Sequence, residues 1–224
     1  LVWASGAYAV GDRAVATATV PVPQVLGGPW QVTFQKGRGA PAEITLPALE
    51  SLHLNSDPAV TYFSGTATYH HDLTVSADWL AKGRRVVLDL GRVEVLARIT
   101  VNGHDLGVVW KEPYRLDITD AVQVGPNRLE IAVTNLWTNR LIGDEFLPVE
   151  DKFGLSDERG VEAGGISQLP AWYREGMPKP PGGRVTFSAW KFYDQQEPLV
   201  ASGLLGPVRV LNPVRVEFSN PENR

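Results

Sequence analysis

Alternation of apolar and polar residues with a period of two restricts this chain more than any other feature. Trp30, Val32 and Phe34 alternate with Gln31 and Thr33. Phe63, Gly65, Ala67, Tyr69, His71, Leu73 and Val75 form one face of a longer run, whose other face is Tyr62, Ser64, Thr66, Thr68, His70, Asp72 and Thr74. Val86-Leu88-Leu90, Val95-Ala97-Ile99-Val101, Tyr114-Leu116-Ile118 and Leu129-Ile131-Val133 continue the pattern, and sustained 3.6-residue periods are nearly absent. Successive side chains of a strand point to opposite faces, so each run reads as a strand with one face on a core and the polar face toward solvent. Turn signals at Lys82-Gly83, Asn102-Gly103 and Gly125-Pro126-Asn127 punctuate the runs, at the roughly 8–12-residue spacing of a sandwich or barrel. Asn102-Gly103 is the strongest of them, because both residues tolerate the positive φ of a tight hairpin.

The pattern breaks in the middle. Residues 136–183 offer little alternation but many Gly, Pro and acidic residues, ending in Met177-Pro178-Lys179-Pro180-Pro181-Gly182-Gly183. One short helix is expected there, over Pro170-Ala171-Trp172-Tyr173-Arg174-Glu175, with Pro170 near its first position and Gly176 stopping it. Long irregular segments inside a compact domain are uncommon and usually functional or disordered. Strand pattern resumes at Val185-Phe187-Ala189, Val208-Val210 and Val214-Val216-Phe218. The expected organisation is a lead-in strand or linker over 1–26, an all-β, jelly-roll-like β-sandwich over 27–218 with an irregular insertion at about 136–183, and a fraying tail over 219–224.

Composition removes several classes of function. A formal charge of −4 in 224 residues argues against a nucleic-acid partner, which needs many phosphates neutralised. No apolar run approaches the roughly 18–20 residues of a spanning helix, so no membrane partner is expected. Leu1-Val2-Trp3 lacks both an initiator Met and a basic leader, which suggests a processed fragment. The absence of Cys excludes disulfides, thiolate metal sites and a Cys nucleophile. His70 and His71 are consecutive on a strand and face opposite ways, while His53 and His104 have no partner at ligand spacing, so no histidine metal site is expected. No nucleophile elbow, phosphate-binding loop or dinucleotide fingerprint is present. The pairs Asp144-Glu145 and Glu150-Asp151 fit no calcium-loop motif, leaving a structural calcium as the one cofactor to consider.

Aromatic residues carry more information. Of seven Trp, four (Trp110, Trp137, Trp172 and Trp190) fall at strand ends or in the irregular region, whereas Trp30 and Trp79 read as core or edge packing. A sugar ring presents a patch of C–H bonds that a flat indole can cover, while Asn, Arg, Asp or Glu bond its hydroxyls. Trp137-Thr138-Asn139-Arg140 followed by Asp144-Glu145 supplies that mixture. The candidate carbohydrate-binding residues are therefore Trp137, Asn139, Arg140, Asp144, Glu145, Trp172, Tyr173 and Trp190, with no catalytic residue assigned.

Three segments then carry a resemblance. Ile99-Thr100-Val101-Asn102-Gly103-His104-Asp105-Leu106-Gly107-Val108-Val109-Trp110, Pro113-Tyr114-Arg115-Leu116-Asp117-Ile118-Thr119-Asp120 and Gly125-Pro126-Asn127-Arg128-Leu129-Glu130-Ile131-Ala132-Val133-Thr134-Asn135 resemble the sugar-binding β-sandwich of family 2 glycoside hydrolases. More narrowly, Gly28-Pro29-Trp30, the run from Tyr62 to Tyr69, the run from Asn135 to Glu145, and Ser202-Gly203-Leu204-Leu205-Gly206-Pro207-Val208 are similar to the C-terminal region of family 106 α-L-rhamnosidases and their relatives. The resemblance implies a galactose-binding-domain-like sandwich, an accessory module of a secreted or periplasmic polysaccharide-degrading enzyme. Its implied partners are a poly- or oligosaccharide and the catalytic domain of the parent enzyme. Two alternatives stand beside this. One is a structural domain that docks a catalytic domain; the other is a small jelly-roll polysaccharide lyase using Tyr69 or His71 as base with Arg98 neutralising a uronate.

Overall fold

A computed structural model describes residues 1–10, 14–148, 152–153, 166–188 and 192–216. In chain order the strands are β1 (Gly6–Val10), β2 (Ala14–Ala18), β3 (Gln24–Val25), β4 (Trp30–Phe34), β5 (Glu43–Leu46), β6 (Thr66–Val75), β7 (Val87–Asp89) and β8 (Arg92–Glu94). They continue as β9 (Leu96–Val101), β10 (His104–Val109), β11 (Arg115–Asp117), β12 (Gly125–Thr134), β13 (Lys152–Phe153), β14 (Ile166–Gln168), β15 (Gly203–Gly206) and β16 (Arg209–Leu211). Among the described residues, three short α-helices interrupt them: α1 (Pro58–Thr61), α2 (Thr138–Asp144) and α3 (Ala171–Arg174).

Six strands form one antiparallel sheet in the order β10-β9-β12-β6-β4-β5, and four form a second in the order β11-β7-β16-β3. The alternation read from the sequence is what joins them. Trp30, Val32 and Phe34 of β4, Ala67, Tyr69, Leu73 and Val75 of β6, Ala97, Ile99 and Val101 of β9, and Leu129, Ile131 and Val133 of β12 turn inward. Leu88 of β7, Val210 of β16 and Leu204 of β15 complete the same cluster. The architecture is the expected all-β sandwich, with helices confined to the connections.

Some local readings change. The long strand begins at Thr66 rather than Tyr62, because Pro58–Thr61 forms α1, capped by the Asp57 side chain on the Ala59 N–H at 2.9 Å, and the chain needs Gly65 at φ 146° to leave it. The outer face of β6 is only partly solvated: Thr66, Thr68 and His70 are half-buried, with Thr66 Oγ1 2.9 Å from Thr134 Oγ1 and His70 Nε2 3.1 Å from Thr33 Oγ1. His71 lies on the opposite face, its ring centroid 4.4 Å from that of Trp30. Val185 and Phe187 do not form a strand, and Phe187 is exposed; the Val185 and Thr186 N–H groups are taken by the Asp144 carboxylate instead of a strand ladder, and Ala189 lies outside the described residues. Of Val214-Val216-Phe218, Val214 forms an isolated bridge to Val2, while Phe218 and the tail lie outside the described residues.

The hairpin and turn motifs are built from side-chain amides. Asn102 takes φ 51° in the β9–β10 turn. Its Nδ2 donates to Ala121 O and to Asn127 Oδ1 at 2.9 and 2.8 Å, while its Oδ1 accepts from Arg128 N at 2.9 Å. Asn127 is buried; its Oδ1 also accepts from Gln123 N at 2.8 Å, and its Nδ2 donates to Gln123 O and Gly125 O, both at 2.9 Å. Asp117 Oδ1 accepts from Thr119 N at 3.0 Å, and Thr119 Oγ1 in turn accepts from Val86 N at 2.9 Å. These motif residues are therefore architectural. Between the layers, the Tyr69 hydroxyl accepts from Leu204 N at 3.1 Å. Burial raises the pKa of Tyr69 well above the usual phenol value, outweighing that hydrogen bond.

Replacing Asn127 with Ala would leave several buried backbone groups without partners, and thermal unfolding should report a loss of about 2–4 kcal/mol. Because burial penalises the Tyr69 phenolate, stability is unaffected by its ionisation at neutral pH and falls as pH climbs past the unfolded phenol value of about 10, where the unfolded chain releases a proton that the folded one holds. Urea titrations at pH 8 and pH 11 should show a smaller alkaline loss of stability in Tyr69→Phe than in the parent, alongside a cost of about 1 kcal/mol at neutral pH.

Candidate functional site

The site follows from how the chain leaves β12. Asn135 accepts from Gly65 N at 2.8 Å through Oδ1 and donates to Phe63 O at 2.9 Å through Nδ2, while Ser64 Oγ donates to Leu136 O at 2.7 Å. The backbone is thereby fixed on both sides of the turn into α2. That helix has no capping side chain at its start and includes Gly143, so no sequence signal announces it. It is held by contacts: Gly143 lies against Tyr62, whose Cβ and Cγ would each be 2.5 Å from an added methyl, and only glycine permits that approach.

Most of the polar candidates on α2 are engaged by the fold. The Asn139 amide makes a reciprocal pair with the Val200 backbone, donating to its carbonyl at 2.8 Å and accepting its N–H at 2.9 Å. Asp144 is wholly buried; Oδ1 accepts from Val185 N at 3.0 Å, and Oδ2 accepts from Thr186 N at 2.8 Å and Thr186 Oγ1 at 2.5 Å. Arg140 Nε lies 2.9 Å from Asp144 Oδ1, an ionic contact whose N–H is not aimed well enough for a hydrogen bond. Glu145 pairs with Arg184, and its carbonyl accepts from Gln195 Nε2 at 2.6 Å. Three separated stretches, at 184–186, 195 and 200, are thus pinned to one short helix.

An open cleft of about 380 Å³ lies beside this helix, lined by Tyr62, Arg140, Phe146, Val185 and the glycines Gly39 and Gly143 among others. Tyr62 and Phe146 have ring centroids 5.6 Å apart at an interplanar angle of 35°, and the Arg140 guanidinium sits 5.8 Å from the Tyr62 ring. Trp137 is 44% exposed, with the guanidinium of Arg38, the chain neighbour of Gly39, 4.7 Å from its ring. Aromatic faces beside cationic donors can stack a ring of C–H bonds and bond its hydroxyls. Tyr62, Phe146 and Arg38 were not expected from sequence, because three separate segments contribute them; Tyr62 alone gave a signal, as a bulky aromatic on an otherwise polar face.

The remaining candidates fall elsewhere. Trp172 and Tyr173 are on α3, edge to face with centroids 5.9 Å apart and Lys179 Nζ 5.9 Å from the Trp172 ring; Tyr173 is exposed, and neither residue lines the cleft. Trp190, Glu150 and Asp151 lie outside the described residues. Tyr69 is buried in the core, His71 packs on Trp30, and Arg98 is on the outer face, 2.6 Å from Asp105, so the three do not meet. Asp105 is held below the usual carboxylate range first by the Gly107 N–H and further by Arg98, against a loss of hydration that acts the other way. Among the described residues no three acidic or histidine side chains converge on a metal position.

Comparison with known proteins shows what this chain is similar to. Residues 51–152 match the family described as glycosyl hydrolase 2 galactose-binding domain-like. A curated protein of Formosa agariphila named "Putative beta-glucuronidase" is 40% identical over 197 residues, which cover 88% of this chain and 16% of that protein. A solved rhamnosidase from Novosphingobium sp. PP1Y is 40% identical with a TM-score of 0.65, covering 90% of this chain and 16% of that chain. A β-D-glucuronidase of Dictyoglomus thermophilum shares the fold, with a TM-score of 0.51 at 17% identity over 87% of this chain and 28% of that one. The chain spans about one sixth of the length of the first two relatives. Over residues 51–152 the sandwich therefore matches the galactose-binding-like domain of glycosyl hydrolase 2, and over most of the chain it is similar to one segment of much longer glycoside hydrolases.

Proposed function

We propose that this domain is a non-catalytic carbohydrate-binding or accessory module of a secreted polysaccharide-degrading glycoside hydrolase, with rhamnose-containing plant or algal glycans as its target class. The observation that carries the reading is the open cleft walled by the Tyr62–Phe146 ring pair, with Arg140 beside it and Trp137 on the adjoining surface. Such a cleft offers stacking faces to a sugar while the surrounding polar groups hold the walls in place. The 40% identity to a rhamnosidase supports the rhamnose class; the equally similar protein named for β-glucuronidase keeps uronate-linked glycans in the comparison. Each stacking contact contributes on the order of 1 kcal/mol, which gives micromolar to millimolar affinity for a short glycan.

One observation favours a second reading, in which the domain docks against a catalytic domain. Leu136, Phe146, Phe187 and Phe192 are large, apolar and exposed, and apolar surface of this kind marks interaction sites when it is contiguous.

Affinity electrophoresis against rhamnogalacturonan, ulvan, xylan, cellulose and β-glucans, with and without chelator, separates the two. Retardation by one polysaccharide is expected, and chelator sensitivity would reveal a calcium requirement; no retardation by any of them moves the function to docking. Trp137→Ala and Phe146→Ala should each weaken the retarding interaction by about fivefold with the melting temperature little changed. Asp144→Ala should do the reverse of this pattern at first measurement, unfolding at lower temperature with a loss of about 3–5 kcal/mol, because Arg140 is left as a buried uncompensated charge.

A further inference from the structure

A second cavity lies on the outer face of the four-stranded sheet, away from α2. It has a volume of about 270 Å³, and its lining includes Trp3, Pro21, Pro23, Asp89, Arg115 and Arg209. Strand register explains its charge. Arg115 of β11 lies opposite Asp89 of β7, and Asp89 lies opposite Arg209 of β16, so one carboxylate stands between two guanidinium groups in a single cross-strand row. Directly opposed residues on a sheet share a face.

The carboxylate is committed to one neighbour. Arg115 Nε and Nη2 both lie 2.9 Å from Asp89 Oδ2, and Asp89 Oδ1 accepts from Gly91 N at 3.0 Å. Arg209 is half-buried, and among the described residues no carboxylate lies within ion-pairing distance of it. A guanidinium that has lost part of its hydration with no carboxylate among the described residues to balance it is ready to receive an anion. Trp3 forms an adjoining wall: its indole is 48% exposed, with the Arg115 guanidinium 5.4 Å from its ring. The preceding residue is fixed by two hydrogen bonds, Val2 N to Val214 O at 2.9 Å and Val214 N to Val2 O at 3.1 Å.

We propose that this cavity binds an acidic sugar, a uronic-acid unit whose carboxylate pairs with Arg209 while its ring lies against Trp3 and the two prolines. The volume, just under the roughly 300–1,000 Å³ of pockets for drug-sized ligands, suits one ring rather than a chain threaded through it. The apolar walls favour a ring of C–H bonds over an acidic peptide, which would bring no flat face to the indole. The site is separate from the cleft beside α2, and it stands or falls independently of the function proposed there.

The test is calorimetric titration of the whole 224-residue chain with a galacturonic acid trimer, its fully methyl-esterified form, a sulfated trisaccharide and poly-aspartate. The acidic trimer should bind at least about tenfold more tightly than the ester, and Arg209→Gln and Trp3→Ala should each lower its affinity by about five- to tenfold while melting as the parent does. Phe146→Ala, in the other cleft, should leave this binding unchanged. Equal binding of acid and ester, insensitivity to Arg209→Gln, or loss on Phe146→Ala instead would overturn the assignment. Preference for the sulfated sugar or for poly-aspartate would also overturn it, as would the absence of saturable binding at millimolar trimer.

Discussion

The ten-residue ladder between β6 and β12 is the interaction on which the rest of the sandwich hangs. Every residue from Thr66 to Val75 has a partner from Thr134 back to Gly125, and each strand then offers its other edge, to β4 on one side and β9 on the other. Because side chains alternate, a slip of one residue in this ladder would turn the inward set of one strand, Tyr69 and Leu73 of β6 or Ile131 and Val133 of β12, to the solvent face. The amides of Asn127 and Asn102 sit at one end of the ladder and that of Asn135 at the other, so the register is closed at both ends by side chains that no longer repeat the strand pattern.

The candidate site inherits its rigidity from that closure. Asn135 fixes the exit from β12, and α2 follows at once, carrying Asn139 and Asp144 into contact with chain 40 to 60 residues farther on. The polar groups that a sequence reader would aim at a sugar are those that organise the walls. What remains for a ligand is largely aromatic: Trp137, Tyr62 and Phe146, with Arg38 and Arg140 supplying charge near the rings. A site of this composition favours recognition by shape and stacking over hydrogen bonds from its walls, as proposed above.

The sandwich was legible because its signals are local. Trp30-Val32-Phe34, the Ala67 to Val75 run and Leu129-Ile131-Val133 alternate in the sequence as they do in the sheets, and Asn102-Gly103 makes the turn its residue types demand. Local signals failed where tertiary contact decides. Nothing in Thr138 to Asp144 marks a helix, since its cap is absent and its cohesion comes from burial, while Val185 and Phe187 alternate but form no strand, the Val185 N–H being taken by Asp144. In the site, Trp137 could be recognised as exposed from its position after a strand end, but Asn139 and Asp144 could not be told from ligand contacts by type alone. Their partners, Val200, Val185 and Thr186, are remote in sequence and are reached mostly through backbone groups that carry no residue signature.

The clamp of Asp144 on Val185 and Thr186 has a further consequence for how such a domain can change. It joins residue 144 to residues 185 and 186, so the chain makes a closed excursion between those two points. The entropy of closing a flexible loop grows only with the logarithm of its length, roughly 0.6 kcal/mol for each doubling. Residues can therefore be added, removed or exchanged inside the excursion with little effect on the sheets, provided the carboxylate and its two backbone partners persist. Diversity on one rim of the domain is uncoupled from the stability of its core, and a lineage can vary what that rim meets without refolding what carries it.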